Sequence, residues 1–562
     1  MKPTANGSPC PFCPPSTTKA TEMPLQQRYK SFDDVLHRVG SFGRYQIFIC
    51  MVIIYSTVMW AGNYMFFSFG LLSPEWLCGD TDPPLKMKTA TGFNCNLWDV
   101  CVNKTAVDRH FYGITEEWFL ECSDYSAISV ISVIQTLTSL VGAVFGGHSG
   151  DSFGRKRYLY IASLGISLSC VLSTSSTSWQ MFAVFQAIAG FFYAYVDVTV
   201  SPLAMEYSDT AHRLIIICCF QWSFAYILCS LIAYLTKTWR LYLTMVNFVT
   251  APLLLIYLLI HESPRWLVQR YDFCRAATVL TDIASLRWNR TEVTVQAEEL
   301  SRLPKAKQRF HTVKDLFQTA DFRRQTAIQC LSMLAYSFSM SAFISKLEYL
   351  SLNPFLQTAL HGGLRIWVPF LLVAMDRRVT WLGRKTLYLI SLAIMICAYG
   401  IVLVTEVLKP GDHWLSTIFT LIGSCTCVST YSISVMLITA EFYPTCLRTI
   451  AYGTSSAAYY LGDLFMQLLL HNQMLSVGSY GIALTTAVLT FILGALFQVE
   501  TKRFPHMRET IEECIAEADS RKPTRLGDLL ICIKPDKPPW NNDKKVQQNG
   551  FSGTHEDGIT KF

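Results

Sequence analysis

Charged residues are scarce in this chain. Only 16% of its 562 residues are charged, whereas 51% are hydrophobic, and the mean hydropathy is +0.29. Soluble domains carry about 25% charged residues, so this composition argues against a soluble protein and predicts one that crosses a membrane several times. The formal net charge of +6 is small and concentrated in loops, and no basic face alternates with exposed aromatic residues. We therefore expect no nucleic-acid partner.

Signatures of catalysis are also missing. The sequence has no metal-ligand cluster, no nucleophile elbow and no phosphate-binding glycine-rich loop followed by Lys and Ser/Thr. Cys10 and Cys13 have the CxxC spacing, but no second Cys/His pair follows them nearby, so we interpret them as part of a polar tail. We expect no enzyme, no cofactor and no metal site. We also expect no cleaved signal peptide, because no short apolar core with a cleavage site is present.

Twelve apolar segments, here called segment 1 to segment 12, are each long enough to cross a bilayer as a helix. They cover residues 45–72, 125–147, 158–178, 180–204, 214–236, 239–260, 325–347, 354–375, 386–406, 414–440, 449–471 and 476–499. The sequence thus predicts an all-α membrane protein whose first partner is the lipid bilayer.

The charges between the segments predict the orientation. Basic residues crowd 155–157, 377–385, 448 and 502–503, whereas the loops near residues 179, 237, 348, 411 and 474 carry few or balanced charges. Because basic loops stay in the cytoplasm, we expect both termini and the central loop to be cytoplasmic. The expected parts are an N-terminal stretch at 1–44, a first six-helix bundle at 45–260, a central loop at 261–324, a second bundle at 325–499 and a tail at 500–562.

The polar loop at 73–123 contains four cysteines and the sequon that begins at Asn103. Cysteines gathered beside a glycosylation signal predict an extracellular loop with two disulfides. Four cysteines allow three pairings, and the sequence does not choose among them. The cysteines are Cys78, Cys95, Cys101 and Cys122. A second sequon, at Asn289, falls in the cytoplasmic central loop, so we expect it to stay unmodified.

The loop between segments 2 and 3 reads Gly-His-Ser-Gly-Asp-Ser-Phe-Gly-Arg-Lys-Arg from Gly147 to Arg157. Its glycines allow two helices to approach closely, and Asp151 can meet either an arginine or the first-turn amides of a neighbouring helix. This loop resembles the one between helices 2 and 3 that marks the major facilitator superfamily of transporters.

Further stretches are similar to one family within that superfamily. The opening from Phe32 to Gln46, the segment Glu262–Leu267 after segment 6, the segment Glu441–Arg448 after segment 10 and Glu500 after segment 12 resemble the organic cation and organic anion transporters, solute carrier family 22. The resemblance implies a large loop after segment 1 and two six-helix halves that alternate access to a central site. Loop chemistry that repeats after segments 2 and 8, and after segments 4 and 10, also indicates two similar halves.

Ionic contacts at the cytoplasmic ends are expected to latch the two halves together and to favour the outward-facing state. The residues predicted to form this latch are Asp151, Arg155, Glu206, Arg213, Asp376, Arg384, Glu441 and Arg448.

Ionisable and aromatic residues inside the segments are the candidates for solute binding, because a charge in a membrane helix is costly and usually functional. The predicted set is Tyr64, Asp197, Trp222, Tyr226, Tyr336, Arg365, Trp367, Tyr431, Tyr460 and Asp463, with Trp60 and Tyr195 as further aromatic candidates. Two acids against one arginine favour organic cations. The resemblance implies a charged residue in segment 11 and a glutamate in segment 8. This chain has Tyr460 at the first position and Gly362 near the second, so it departs from the family at both.

The sequence therefore predicts a monomeric, twelve-helix transporter of small organic ions in the plasma membrane. Two alternatives stay open. One is a carrier of organic anions or of zwitterions such as carnitine. The other is a transporter-like receptor or scaffold that no longer transports.

Overall fold

The structure is a computed structural model. It describes residues 29, 31–72, 74–79, 85–86, 88–89, 92–93, 98, 100–107, 109–120, 125–219, 222–303, 305, 311–347, 353–379, 382–408, 413–471, 476–502 and 508–514. The CxxC pair at Cys10 and Cys13, the loop cysteines Cys95 and Cys122, and the tail beyond residue 514 lie outside the described residues.

Helices occupy all twelve predicted positions. In chain order they are Arg44–Tyr64 with Phe66–Gly70, Tyr125–Phe153, Arg155–Ser173, Trp179–Met205, Arg213–Cys218 with Ser223–Thr236, Trp239–Thr250 with Pro252–Leu259, Ala320–Leu347, Pro354–Gly363 with Val368–Arg378, Arg384–Leu408, His413–Thr426 with the π-helix Cys427–Tyr431 and Ser432–Phe442, Arg448–His471, and Ser476–Phe497. Within the described residues, nine of the twelve segments are long and apolar enough to cross a membrane. Segments 3, 7 and 11 are not among the nine, and their sequences are rich in Ser, Thr and Tyr.

Short helices precede segment 1 and fill the central loop. The helix Phe32–Gly40 begins at Ser31, whose hydroxyl accepts from the backbone N–H of Asp34 at 3.4 Å, and the Asp34 carboxylate accepts from the Ser31 N–H at 2.9 Å. This reciprocal cap fixes the start of the helix. The central loop contains the helices Pro264–Gln269, Phe273–Ala284 and Ala297–Ser301 and the 3₁₀ turn Val313–Phe317.

The loop after segment 1 forms a small sheet. Strand β1 (Glu75–Cys78) pairs with both β2 (Leu85–Lys86) and β5 (Lys104–Val107), while β3 (Lys88–Thr89) pairs with β4 (Gly92–Phe93), and every pairing is antiparallel. A disulfide joins Cys78 to Cys101. Of the two predicted disulfides, one is thus present in the described part of the loop.

Asn289, in the second sequon, anchors the central loop to the start of segment 1. Its side-chain amide donates to the carbonyls of Val39 and Gly40 at 3.3 and 3.2 Å, and its oxygen accepts from the Tyr45 N–H at 3.1 Å. These bonds occupy the amide nitrogen to which a sugar would be attached.

Small residues allow the two halves, segments 1–6 and segments 7–12, to pack closely. A methyl group on Gly453 of segment 11 would lie 2.6 Å from the Ala143 carbonyl oxygen of segment 2. A methyl group on Gly362 of segment 8 would lie 2.7 Å from the Ser223 carbonyl oxygen of segment 5. Only glycine permits such approach of two backbones, so segment pairs 2/11 and 5/8 form contacts between the halves.

Candidate functional site

Glu206, at the end of segment 4, is the centre of a buried ionic network. Its Oε1 accepts from Nη1 of Arg448 at 2.9 Å, and its Oε2 accepts from Nη1 of Arg155 and from the Ser263 hydroxyl. Glu206, Arg155 and Arg448 are completely buried. Because Arg448 begins segment 11, the carboxylate joins the first half to the second. This region, formed by the loops after segments 2, 4, 6, 8 and 10 and the chain after segment 12, is called the charged end below.

Asp151 adds a second link between the halves. One carboxylate oxygen accepts from Nη2 of Arg155 at 2.8 Å, and the other accepts from the Ile450 backbone N–H, in the first turn of segment 11, at 3.1 Å. Both kinds of partner expected for Asp151 are therefore present. An acid at a helix N-terminus is favoured by the helix dipole. Arg155 itself also donates to the Thr445 carbonyl of the second half at 3.1 Å.

The second half repeats this arrangement within itself. Arg384 Nη1 donates to Asp376 Oδ1 at 2.7 Å, and its Nε lies 3.7 Å from Glu441 Oε1. Glu500 accepts from the backbone N–H groups of Arg384 and Lys385 at 2.8 and 3.1 Å. In the first half, Glu262 accepts in the same way from the N–H groups of Arg155 and Lys156, at 3.0 and 3.2 Å. Asp376, Arg384 and Glu441, which were expected to contact the other half, thus form ion pairs inside their own half.

Arg213 breaks the symmetry. It was expected to join the latch between the halves, but its Nη2 lies 3.3 Å from Asp33 of the N-terminal helix. Asp33 also binds the buried Arg265, whose other nitrogen binds Glu509 beyond segment 12. Burial alone would lower the pKa of Arg265, but the carboxylates of Asp33 and Glu509 outweigh burial and raise it above its usual value. The permanently charged Arg265 thus links the N-terminal helix to the chain that follows segment 12.

Sequence reasoning missed several members of this network. Glu509 accepts from the Thr445 hydroxyl at 2.7 Å as well as from Arg265, although it lies in the polar tail, for which no partner was predicted. Ser263 caps the helix Pro264–Gln269 by accepting from the Trp266 N–H at 3.2 Å, and its hydroxyl also donates to Glu206. Asp33 could have been found, because it is the one buried acid of an otherwise apolar helix face.

Aromatic rings from both halves meet near the centre of the bundle. Tyr64 of segment 1 stacks on Tyr193 of segment 4 at 5.2 Å and contacts Trp222 of segment 5 at 5.7 Å. Tyr193 contacts Tyr460 of segment 11 at 6.4 Å, and Trp222 contacts Tyr226 at 6.3 Å. The candidates Tyr64, Trp222, Tyr226 and Tyr460 therefore belong to one aromatic cluster between the halves. Trp60 also contacts Tyr193 and Trp222.

Tyr336 of segment 7 belongs to the same region, since its ring lies 5.3 Å from Tyr459, the neighbour of Tyr460. Tyr193 and Tyr459 were not predicted. Tyr195 was, but it bonds the Ser149 hydroxyl and stacks on Tyr158 instead. Residues four apart on a helix share a face, whereas residues two apart do not. Tyr193 lies four residues before Asp197 and Tyr195 only two, so this spacing could have identified Tyr193 as the tyrosine on the same face as the embedded acid.

Arg365 of segment 8 is completely buried beside this cluster. Its Nε donates to the His361 carbonyl at 2.7 Å, and its guanidinium carbon lies 4.5 Å from the centre of the Tyr226 ring. Its Nη1 and Nη2 have no hydrogen-bond partner among the residues that the structure describes. Four N–H donors on a buried cation are thus available to an acceptor.

The two embedded acids, in contrast, have donors. Asp197 lies 3.5 Å from the Ser456 hydroxyl of the second half. Asp463 lies 3.4 Å from the hydroxyl of Thr136, 3.4 Å from that of Ser341 and 3.0 Å from the Gln467 amide nitrogen. Asp197 of the first half therefore contacts Ser456 of the second, and Asp463 of the second half contacts Thr136 of the first.

Two predicted residues lie elsewhere. Trp367 is 56% exposed, in a row with exposed Leu364, Ile366 and Phe370, so it belongs to the outer surface of the bundle that faces lipid. Tyr431 is buried inside the second half, where its hydroxyl donates to the Ser332 carbonyl at 3.0 Å and its ring packs against Tyr388. The hydrophobicity of a membrane helix does not distinguish these faces, which is why both residues were included.

In the described part of the chain, no group of three or more His, Cys, Asp or Glu side chains could hold a metal ion. The described residues instead form an ionic network at one end of two similar helix bundles. Aromatic and ionisable side chains lie between the bundles, where they can contact a solute.

Comparison with known proteins decides the family. Residues 87–511 match the model of the family described as sugar (and other) transporter. The chain belongs to this family of the major facilitator superfamily. Its relatives include the human organic cation/carnitine transporter 2, which is 27% identical over 69% of this chain and 70% of that protein. They also include solute carrier family 22 member 7 of Rattus norvegicus, 28% identical over 74% of this chain and 76% of that protein.

A solved structure confirms the fold. The proton:xylose symporter XylE bound to 6-bromo-6-deoxy-D-glucose aligns with a TM-score of 0.60 at 16% identity, over 84% of this chain and 99% of that chain. The expected all-helical major facilitator fold is thereby confirmed, and the relatives named above confirm the expected resemblance to solute carrier family 22. The protein is a multi-pass membrane transporter and not an enzyme, as expected.

Proposed function

We propose that the protein moves small organic ions across the plasma membrane by alternating access, as a monomer with all twelve segments crossing the bilayer. Both termini and the charged end are cytoplasmic. The loop at 73–123, which contains the Cys78–Cys101 disulfide, is extracellular and glycosylated at Asn103.

One observation supports this proposal above the others. Among the described residues, the only ion pair that directly joins a segment of the first half to a segment of the second is Glu206–Arg448, at the charged end. Two bundles linked at one end can separate there by rocking around a central site. The closed charged end is the outward-facing arrangement, and the buried ion pairs must break for inward opening.

The strength of these links matters for transport. Breaking a buried ion pair costs about 3–5 kcal/mol when its partner is lost, but rocking exposes both partners to water, which lowers the cost. A latch of this kind holds the charged end closed without preventing its opening.

The contacts of the embedded charges favour a solute with a carboxylate over the organic cation suggested by counting acids. Both acids have hydrogen-bond donors nearby, whereas Arg365 presents two unpaired nitrogens beside Tyr226. A buried cation without a counter-ion is costly, and a guanidinium binds a carboxylate through two parallel hydrogen bonds. We therefore propose organic anions or zwitterions as the substrate class. Two relatives are named for organic cation/carnitine transport.

Uptake by cells that express the protein tests the proposal. Matched panels of radiolabelled organic anions, zwitterions and cations are compared, with surface protein measured by biotinylation. We expect saturable uptake of carboxylates and its loss in Asp151→Asn at unchanged surface level. Absence of uptake for every class, at good surface expression, would favour the receptor or scaffold alternative.

Arg365 variants test the charge class. Arg365→Met removes all hydrogen-bond donors of this side chain, and we expect it to abolish carboxylate uptake. Arg365→Lys keeps the positive charge but cannot form two parallel hydrogen bonds to a carboxylate, so we expect it to retain part of the uptake. If carboxylate uptake persists in Arg365→Met while surface expression is normal, the assignment of the carboxylate to Arg365 is wrong.

A further inference from the structure

Two stretches that are far apart in the sequence meet at the start of segment 1. One is the helix start at residues 43–48, and the other is the turn at residues 287–290 of the central loop. The side-chain oxygen of Asn289 accepts from the Tyr45 N–H at 3.1 Å, and a methyl group on Gly43 would collide with that oxygen. The two stretches are therefore held in direct contact.

Trp288 adds to this contact. Its ring lies 5.0 Å from the Tyr45 ring and 5.1 Å from the Phe48 ring. The guanidinium carbon of Arg287 lies 5.5 Å from the centre of the Trp288 ring. Tryptophan is enriched where a membrane meets water, because its ring is apolar and its N–H is polar. The position of Trp288 thus indicates the level of the membrane surface beside segment 1.

Three arginines flank these contacts, and together they are called the arginine patch below. They are Arg44, Arg287 and Arg290, and all three are exposed. Apart from the ring contact of Arg287, none of their side chains forms an ion pair or a hydrogen bond with another residue in the described ranges. The N–H donors of the patch are therefore available to an external acceptor.

Nearby acids do not neutralise the patch. Asp282 is bonded to His261 at 2.7 Å, and Glu292 is exposed two residues after Arg290. Even if both acids were fully charged, the three arginines would leave an excess of positive charge. The patch therefore favours an anionic ligand.

The surface beside the patch indicates where the anion comes from. On segment 1, Ile47 and Met51 lie three and seven residues after Arg44, on the same face of the helix, and they are 49% and 63% exposed. Exposed apolar side chains on a membrane helix contact the acyl chains of lipids. An anion at the patch therefore lies directly beside acyl chains.

Segment 6 extends this apolar surface. Its end lies beside the start of segment 1, because the His261 N–H donates to the Tyr45 hydroxyl at 3.0 Å. The exposed residues of its last turns include Leu255 and Leu258. The patch thus lies where two apolar helix surfaces end and a polar loop begins, which is the level of lipid headgroups.

We propose that the arginine patch binds the phosphate of an anionic phospholipid, whose acyl chains lie along the exposed residues of segments 1 and 6. A guanidinium donates two parallel hydrogen bonds to a phosphate, and basic clusters beside a membrane helix attract anionic lipids. Because the patch combines segment 1 with the central loop, a bound lipid links these two parts. Binding of the lipid rests neither on the proposed transport function nor on the proposed orientation.

Native mass spectrometry of the purified full-length protein measures this binding. The protein is titrated with phosphatidylserine or with phosphatidylcholine of the same acyl chains, and we expect tighter binding of phosphatidylserine. Each arginine near an anionic lipid strengthens binding by about fivefold. The triple variant Arg44→Gln/Arg287→Gln/Arg290→Gln should therefore bind phosphatidylserine about a hundredfold more weakly, with binding of phosphatidylcholine nearly unchanged.

Two controls separate the patch from general effects of charge and folding. Arg302→Gln removes another exposed arginine of the central loop, and it should bind phosphatidylserine as the wild type does, whereas Arg287→Gln alone should bind about fivefold more weakly. Replacing the three arginines of the patch by lysine keeps the charge, so most of the binding should remain.

Three results would overturn the proposal. The first is equal binding of the two lipids by the wild type, and the second is wild-type binding of phosphatidylserine by the triple glutamine variant. The third is displacement of phosphatidylserine by inorganic phosphate, which would assign the patch to a soluble phosphate. Uptake in cells is a separate measurement. Saturable uptake without a lipid preference leaves the transport function and removes the lipid site, whereas a lipid preference without uptake of any solute does the reverse.

Discussion

Arg448 reaches from the second half to Glu206 of the first at 2.9 Å, but Arg213, at the corresponding place of the first half, does not make the matching contact with Glu441. Asp33 of the N-terminal helix holds Arg213 instead, at 3.3 Å. The repeated loop sequences therefore produce one crossing ion pair rather than two. A link on one side is weaker than a symmetric pair, which is compatible with a latch that must open in each cycle.

Replacing the two arginines by lysine should have unequal effects. Arg448 uses all three nitrogens, which donate to the Ala440 carbonyl at 3.0 Å, to Glu206 and to the Tyr443 carbonyl at 3.4 Å. Lysine cannot reproduce this planar set, so Arg448→Lys should lower initial uptake by about tenfold or more, equivalent to about 1.4 kcal/mol. Arg213 is also buried, but its one ion pair, to Asp33 at 3.3 Å, can be replaced by a lysine ammonium, so Arg213→Lys should lower uptake by no more than about twofold.

Both variants are compared as uptake rates divided by surface protein. Equal losses in the two variants would mean that the crossing contact of Arg448 has no special role.

The approach of segments 2 and 11 should be as important as the ion pairs. In Gly453→Ala the new methyl group would lie 2.6 Å from the Ala143 carbonyl and 3.0 Å from the Gly147 Cα, so the helices must move apart. We expect the charged end to open and the half-buried Cys446 to react faster with maleimide in permeabilised membranes, as measured by mass spectrometry. Gly481→Ala is the control, because a methyl group there meets no atom within 4 Å. An unchanged Cys446 rate in Gly453→Ala would contradict this role of the 2/11 contact.

The two sequons should behave differently. Asn103 is exposed beside the Cys78–Cys101 disulfide, and Asn289 donates to Val39, Gly40 and Gln46. Asn103→Gln should abolish the shift that a glycosidase produces on a gel and leave thermal stability nearly unchanged. Asn289→Gln should leave the gel shift unchanged and lower stability by about 1–3 kcal/mol, because buried acceptors lose their donors. A glycan that survives in Asn103→Gln and disappears in Asn289→Gln would reverse the proposed orientation.

Local sequence patterns account for those parts of the structure whose deciding residues lie close together in the chain. Asp151 and Arg155 are one helical turn apart, and the twelve apolar segments are local features, so their helices and the Asp151–Arg155 pair follow from short-range pattern. A short-range pattern does not predict that the partner of Arg213 lies 180 residues away in the chain. Arg213 was assigned to the opposite half by analogy with Arg448, and nothing local indicated that Asp33 would be nearer.

The central site shows the same limit. Hydropathy identifies a membrane helix but not which of its faces meets lipid, so Trp367 and Tyr193 were equally plausible from the sequence and only one of them lies in the aromatic cluster. A count of the embedded charges, Asp197 and Asp463 against Arg365, favoured organic cations as the solute. Which of these groups lacks hydrogen-bond partners depends on the residues around it in the folded protein, and in the described residues it is the Nη1 and Nη2 groups of Arg365.

The Cys78–Cys101 disulfide offers a test of which side of the membrane the first loop occupies. The two cysteines are 23 residues apart, and closing a loop of that length stabilises a fold by about 3 kcal/mol through the entropy of the unfolded chain. In Cys78→Ser, Cys101 becomes a free thiol in the loop that we propose to be extracellular. A membrane-impermeant maleimide should therefore label Cys101 in intact cells, while the wild-type protein should be labelled there only after reduction. Cys446 at the charged end should require permeabilised cells in both proteins. If Cys101 of the variant also required permeabilisation, the loop would face the cytoplasm, and the assignment of the charged end to that side would be inverted.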